Sequence, residues 1–337
     1  MDNIFGKNLS RDIAVIAEIG VNHEGDVDVA EKMVRSAKKS GASAVKFQSY
    51  TPERFTSKTD PVRFERVTKF ALNEEEHRHL KRVADEVGIC FFSTAVSEDW
   101  VPLIAELSPV IKIASGDLTF EPVVRAAAKT DRKVILSTGA GSEEEVDRAV
   151  GWIKDEIGEQ ELAQRLVLMH CVAAYPTPAN AVNLRAIPKM KERYGVEVGW
   201  SNHVIGPEIC LGALALGARV FEVHVTDKKS DREFRDHELS FEPQDLAELI
   251  SQLEQVNQAL GDGVKKPADC ELEIRDNLRK GIISSRALSE GHLLVADDLM
   301  FARPAAGITS SEIEGVLGKR LNRAVGQHEA LQRNDLA

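Results

Sequence analysis

The sequence predicts an α/β fold: a closed (β/α)8 barrel of the TIM type over residues 1–260, a linker at 261–278 and a small separate unit at 279–337. Three observations predict it. Short apolar runs recur eight times before residue 226, helical patterns fill the gaps between them, and polar residues gather at the C-terminal ends of the runs. The length of 337 residues suits a barrel of roughly 250 residues with an appendix.

The eight runs are IAVIAE (13–18), AVKFQ (44–48), CFFST (90–94), VIKIAS (110–115), KVILST (133–138), LVLMHC (166–171), EVGWS (197–201) and VFEVHV (220–225). Near-continuous apolar runs of this length suit parallel strands covered on both faces. Between 28 and 40, Val29, Met33 and Ala37 recur at spacing four, one face of a helix. Asn73 precedes three glutamates that complement a helix N-terminus, and Ser142 stands three before Glu145 as a capping box. Helices over 206–216 and 243–260 complete the alternation, which over eight units closes a parallel barrel. After Leu260 the stretch 261–277 is rich in Gly, Pro and charge and reads as a linker. Beyond it, GIISSRAL and LLVADDLMF predict short strands in a domain small enough to be marginal by itself.

A net charge of −11 argues against bulk nucleic-acid binding while leaving room for a basic pocket. Cys90, Cys171, Cys210 and Cys270 form no CxxC pair, so a zinc ribbon is excluded and a reducing, cytoplasmic setting is expected. No apolar run approaches the ~20 residues of a membrane span, and the polar N-terminus does not read as a signal peptide.

The polar strand ends are Glu18; Lys46 and Gln48; Ser93 and Thr94; Lys112, Ser115 and Asp117; Ser137 and Thr138; His170; Ser201, Asn202 and His203; Glu222 and His224. That face of a barrel carries the active site. His203 and His224 end neighbouring strands, within reach of one ion, and two neutral imidazoles with substrate oxygens and water suit manganese, with magnesium or cobalt as alternatives. Either histidine alone more simply satisfies a local hydrogen bond. Lys46 and Lys112 lie in apolar runs, where a lysine is seldom buried unpaired. They read as cations facing a phosphate and a carboxylate, with Ser115, Ser137 and backbone amides completing the cradle, or else as salt-bridge partners of a helix.

AEIGVNHEG, KFQ, KIASGD, LSTG, HCVAAYPTP, SNH and EVHVTD occur in an order that resembles the sialic acid synthase family, the N-acetylneuraminate, legionaminate and pseudaminate synthases. The tail RKGIISSRALSEGHLLVADDLMFARPAAGI resembles that family's antifreeze-like (SAF, β-clip) domain. The resemblance implies a transferase that joins phosphoenolpyruvate to an N-acylated amino-sugar aldehyde such as N-acetylmannosamine or a diacetamido-trideoxyhexose. It also implies a homodimer in which each SAF domain covers the partner's barrel. Position by position it makes His203 and His224 metal ligands. Lys46, Thr94, Lys112, Ser115 and Ser137 fall at phosphoenolpyruvate-binding positions, with Ser201 beside them. Glu18, Gln48, Tyr175 and Asp236 line the sugar or the reacting centre, and Arg303 serves the sugar's acylamino group. Glu18 or Asp117 would position or deprotonate the water. Ala173, Ser201-Asn202-His203 and Phe234-Arg235-Asp236 depart from the family's usual residues near the sugar, which predicts a changed amino sugar. The competing enzyme reading is a Schiff-base aldolase or lyase using Lys46, its pKa depressed by Lys112. A saccharide-binding or structural module would leave the polar strand ends unexplained.

Overall fold

The computed structural model describes residues 3–337 and divides into two compact units, one ending at Gly261 and one running from Asp262 to Ala337. In the first unit eight parallel strands close a barrel in sequence order: β1 (Ala14–Gly20), β2 (Ala44–Ser49), β3 (Cys90–Ala95), β4 (Val110–Ile113), β5 (Lys133–Ser137), β6 (Leu166–His170), β7 (Glu197–Asn202) and β8 (Val220–His224), with β8 pairing back onto β1. Each apolar run of the sequence is one strand, within two residues at either end.

The strands are apolar on both faces because both faces are covered. Outward-facing residues such as Val15, Val45, Ile111, Leu136, Val198 and Val223 pack against the helices. In the lumen Ile16, Phe92, Ile135, Val167 and Met169 form a separate cluster with the chain before β1, and Ile4, Leu9 and Phe5 close the N-terminal end. The C-terminal end, free of that plug, is where the lumen turns polar.

The predicted caps form. Asn73 with Glu76 and Ser142 with Glu145 make reciprocal capping boxes on helices Glu74–Val87 and Glu143–Ile157. Met33 and Ala37 are buried on the helix Val27–Lys39, joined by Ala30 and Val34, whereas Val29 is only half-buried. The stretch after β2 has no readable period, yet it folds into Pro52–Phe55 and Pro61–Phe70, each with proline at the helix start. These two short helices matter for the site.

In the second unit β9 (Gly281–Ser284) pairs antiparallel with β10 (Leu299–Ala302), and Ile282, Leu294, Ile308, Leu321, Val325 and Leu331 make its core. Two single-turn helices, Asp269–Leu272 and Arg275–Leu278, occupy the 261–278 stretch read as linker.

Candidate active site

Barrel register brings the polar strand ends together. Glu18 on β1 stands opposite Lys46 on β2 and His224 on β8, Gln48 opposite Thr94 on β3, Thr94 opposite Lys112 on β4, and Ser201 on β7 opposite Glu222 on β8. Strand side chains alternate, so Glu222 and His224 face the same way. All of these line one cavity of about 490 Å³ at the C-terminal end of the barrel. The β1–β2 register slips between Glu18 and Gly20, a local irregularity of the kind that re-aims side chains near active sites. Gly20 has φ +54°, and a Cβ there would lie 2.8 Å from Glu18 Oε1, so only glycine leaves the carboxylate its place.

Deep in the cavity two cations and two carboxylates interlock. Lys46 Nζ lies 2.6 Å from Glu18 Oε2 and 3.6 Å from Glu222 Oε1, and Lys112 Nζ lies 3.0 Å from Glu222 Oε2. Lys46 also donates to Thr94 Oγ1 at 3.1 Å, Lys112 to Ser137 Oγ at 2.6 Å, and Ser201 Oγ to Glu222 Oε1 at 3.2 Å. Lys46 and Lys112 are 3% and 1% exposed, so these are fully desolvated ions that need one another. Burial alone would lower Lys46, yet Glu18 and Glu222 beside it hold its pKa above the ordinary lysine value. Burial does lower Lys112, with Glu222 only partly offsetting it. Burial likewise lifts Glu18 to about 7 against the pull of Lys46. For Glu222, the charges of Lys112 and Lys46 overcome burial and hold its carboxyl down at about 2. Ser115 Oγ accepts from Gly139 N at 3.0 Å, and a Cβ on Gly139 would lie 2.8 Å from that oxygen, so glycine permits the β4 and β5 loops to meet.

Above this cluster the His203 and His224 rings lie 5.4 Å apart, with Tyr175 4.1 Å over His203. Burial pushes both imidazoles below the usual histidine range, so both are neutral, as metal ligands must be. His203 Nδ1 sits 2.7 Å from the Val172 carbonyl, which fixes that nitrogen as the N–H donor and leaves Nε2 with its lone pair in the open. Among the described residues no group of three or more His, Cys, Asp or Glu is set to hold an ion. The two imidazoles could therefore hold a divalent ion only as a partial shell, which substrate oxygens and water would have to complete.

The NeuB family model matches residues 33–265, and the SAF domain model matches residues 279–337. The chain belongs to the NeuB family. Over 323 residues it is 36% identical to an uncharacterized protein of Methanocaldococcus jannaschii, covering 96% of this chain and 94% of that one. It is 34% identical to the N,N'-diacetyllegionaminic acid synthase of Campylobacter jejuni, across 94% of this chain and 98% of that protein. The crystal structure of the N-acetylneuraminic acid synthetase from Leptospira borgpetersenii, in complex with citrate, superposes with a TM-score of 0.72 at 33% identity, covering 79% of this chain and 92% of that one.

In this NeuB-family barrel the cavity lining includes Glu18, Lys46, Gln48, Thr94, Lys112, Ser115, Ser137, Tyr175, Ser201, His203, His224 and Asp236. Asp117 is not among the lining residues. It closes the turn after β4, its amide donating to Ala114 O, so Glu18 is the one of the two candidate bases that the fold brings into the cavity. Arg303 lies in the second unit, exposed, donating to Leu278 O. Of the three departures near the sugar, Ala173 and Phe234-Arg235-Asp236 do line the cavity. Asn202 does not: it is buried between Trp200 Nε1 and Val204 O, a packing residue. His170 turns out of the lumen to the Val182 carbonyl. Lys46 departs from the Schiff-base reading, because the carboxylates raise its pKa and the depressed lysine is Lys112. Nor do the lysines pair with a helix; their partners sit on β1 and β8.

In the sequence Glu222 is a strand end with no assigned role. Its spacing of two from His224 was the available signal. Arg63, Arg66 and Phe70 also line the cavity, and the sequence carries no local sign of it.

Proposed function

We propose that the barrel joins the methylene carbon of phosphoenolpyruvate to the aldehyde carbon of an N-acylated amino sugar. Water adds, phosphate leaves by carbon–oxygen cleavage, and a 3-deoxy-2-ulosonic acid results. Membership of the NeuB family supports the condensation, and its legionaminic and pseudaminic acid synthases at 34% and 30% identity support an amino-sugar acceptor. The observation that carries the reading is the buried pair of lysines under two neutral histidines in one cavity.

Lys46 and Lys112, with Thr94, Ser115 and Ser137, would take the phosphate and carboxylate of phosphoenolpyruvate, whose oxygens replace Glu18 and Glu222 as their partners. Glu18 is then free to position the water and accept its proton, its basicity raised above that of an ordinary carboxylate by burial. His203 and His224 would hold a divalent ion, manganese first, which supplies Lewis-acid polarisation of the aldehyde oxygen.

Ala173 lines the cavity where the family resemblance implies a hydroxyl or amide donor. Losing such a donor shifts preference by a few kcal/mol. In a phosphate-release assay across amino-sugar aldehydes, a deoxygenated or diacetamido sugar is expected to outperform N-acetylmannosamine. A clear win for N-acetylmannosamine refutes the specificity, and no release with any sugar refutes the function.

The same reading takes the enzyme as a cytoplasmic homodimer in which Arg303 reaches the acceptor in the partner's barrel. Mixing inactive His203→Ala and Arg303→Ala proteins under subunit exchange is expected to restore activity, since one barrel then has both residues. If Arg303 acts within its own chain, mixing restores nothing.

A further inference from the structure

The charges lining the cavity do not follow those of the whole chain. The protein carries −11, whereas the cavity sets five cations, Lys46, Lys112, Arg63, Arg66 and Arg235, against three carboxylates, Glu18, Glu222 and Asp236. Without Arg63 and Arg66 that balance would be neutral. The two deep lysines are already matched by Glu18 and Glu222, and Arg235 lies 3.3 Å from Asp236. The surplus is therefore Arg63 and Arg66, both on the helix Pro61–Phe70.

These two arginines are held by aromatic rings that line the cavity. Several other arginines on the barrel surface, Arg35, Arg54, Arg78, Arg125 and Arg193, are tied to carboxylates. Arg63 and Arg66 are exposed and have no side-chain hydrogen bond or ion pair among the described residues. Instead the Arg63 guanidinium lies 5.8 Å over the Phe55 ring and the Arg66 guanidinium 5.7 Å over the Phe234 ring, both rings being cavity walls. A ring under the guanidinium face restrains it and leaves its in-plane N–H donors free for an oxyanion.

We infer that Arg63 and Arg66 form a cationic collar that captures phosphoenolpyruvate and draws it to Lys46 and Lys112. This rests on phosphoenolpyruvate being the substrate. With one carboxylate and one phosphate it carries roughly −2.5 to −3 at neutral pH. It must approach a protein that repels it, and local charge around a cleft raises the local concentration of such an anion against the net charge. The collar acts at long range and before the chemistry, so salt should weaken it as the Debye length shortens from about 30 Å at ~0.01 M to about 10 Å at ~0.1 M.

The test is equilibrium dialysis of phosphoenolpyruvate without acceptor, on the full-length protein and on Arg63→Gln/Arg66→Gln. A second double variant, Arg78→Gln/Arg193→Gln, removes the same charge outside the cavity. The collar variant is expected to bind about 10-fold more weakly at ~0.01 M ionic strength, with the gap closing to under about 2-fold at ~0.3 M. The outside variant should bind as the parent does. A gap indifferent to salt, no gap, or an equal loss in the outside variant overturns the collar. Parent-like phosphoenolpyruvate binding with a raised acceptor KM also overturns it and assigns the arginines to the sugar. If the parent binds phosphoenolpyruvate and the gap appears, but no acceptor yields phosphate, the collar stands and the proposed reaction falls. If the parent binds none, both fall.

Discussion

Replacing His203 or His224 with alanine is expected to lower turnover at least ~100-fold and to abolish binding of manganese by the isolated protein. The scale is that of losing one preorganised electrophilic contact in a closed site. It rests on two neutral rings 5.4 Å apart, one with Nδ1 committed to the Val172 carbonyl. Folding should survive both changes, because neither ring is held in an ion pair. Manganese binding is read by equilibrium dialysis and turnover by phosphate release. If both variants bind manganese as the parent does and keep near-normal rates, the histidines are spectators. Loss of turnover with binding intact would make them contacts to the substrate alone.

The fold was legible because a parallel barrel imposes one constraint eight times. Each strand must be apolar on both faces, so each appears as a short unbroken run. The caps at Asn73 and Ser142 were legible for a local reason, since a capping box needs only residues three apart. What the sequence could not carry was direction at the strand ends. Ser201, Asn202 and His203 are consecutive, yet Asn202 faces outward to Trp200 while its neighbours line the cavity. Asp117 follows β4 but does not line the cavity. The aromatic and arginine wall is hidden for another reason. Arg66 lies over Phe234 across a long stretch of chain, and no local pattern marks such a meeting.

Glu222→Ala is expected to be the most destabilising single change at the site. Among the described residues Glu222 is the sole carboxylate paired with Lys112 and the second paired with Lys46, and all three groups are buried. Removing one partner of a buried ion pair leaves an uncompensated charge and costs about 3–5 kcal/mol. For a barrel of this size that corresponds to a fall in Tm of roughly 10 °C. The cost should depend on pH in a known sense. Burial already lowers the pKa of Lys112, and loss of Glu222 lowers it further. The unfolded chain then binds a proton that the folded one refuses, so the variant's stability rises with pH up to the ordinary lysine value. Glu222→Gln, which can keep the Ser201 hydrogen bond while losing the charge, should share this dependence. An anion can replace the missing carboxylate, so inorganic phosphate should raise the Tm of Glu222→Ala more than that of the parent. Thermal melts at several pH values, with and without phosphate, check each point. A variant as stable as the parent would mean that Glu18 alone neutralises both lysines. A phosphate shift no larger than the parent's would mean that the anion binds elsewhere.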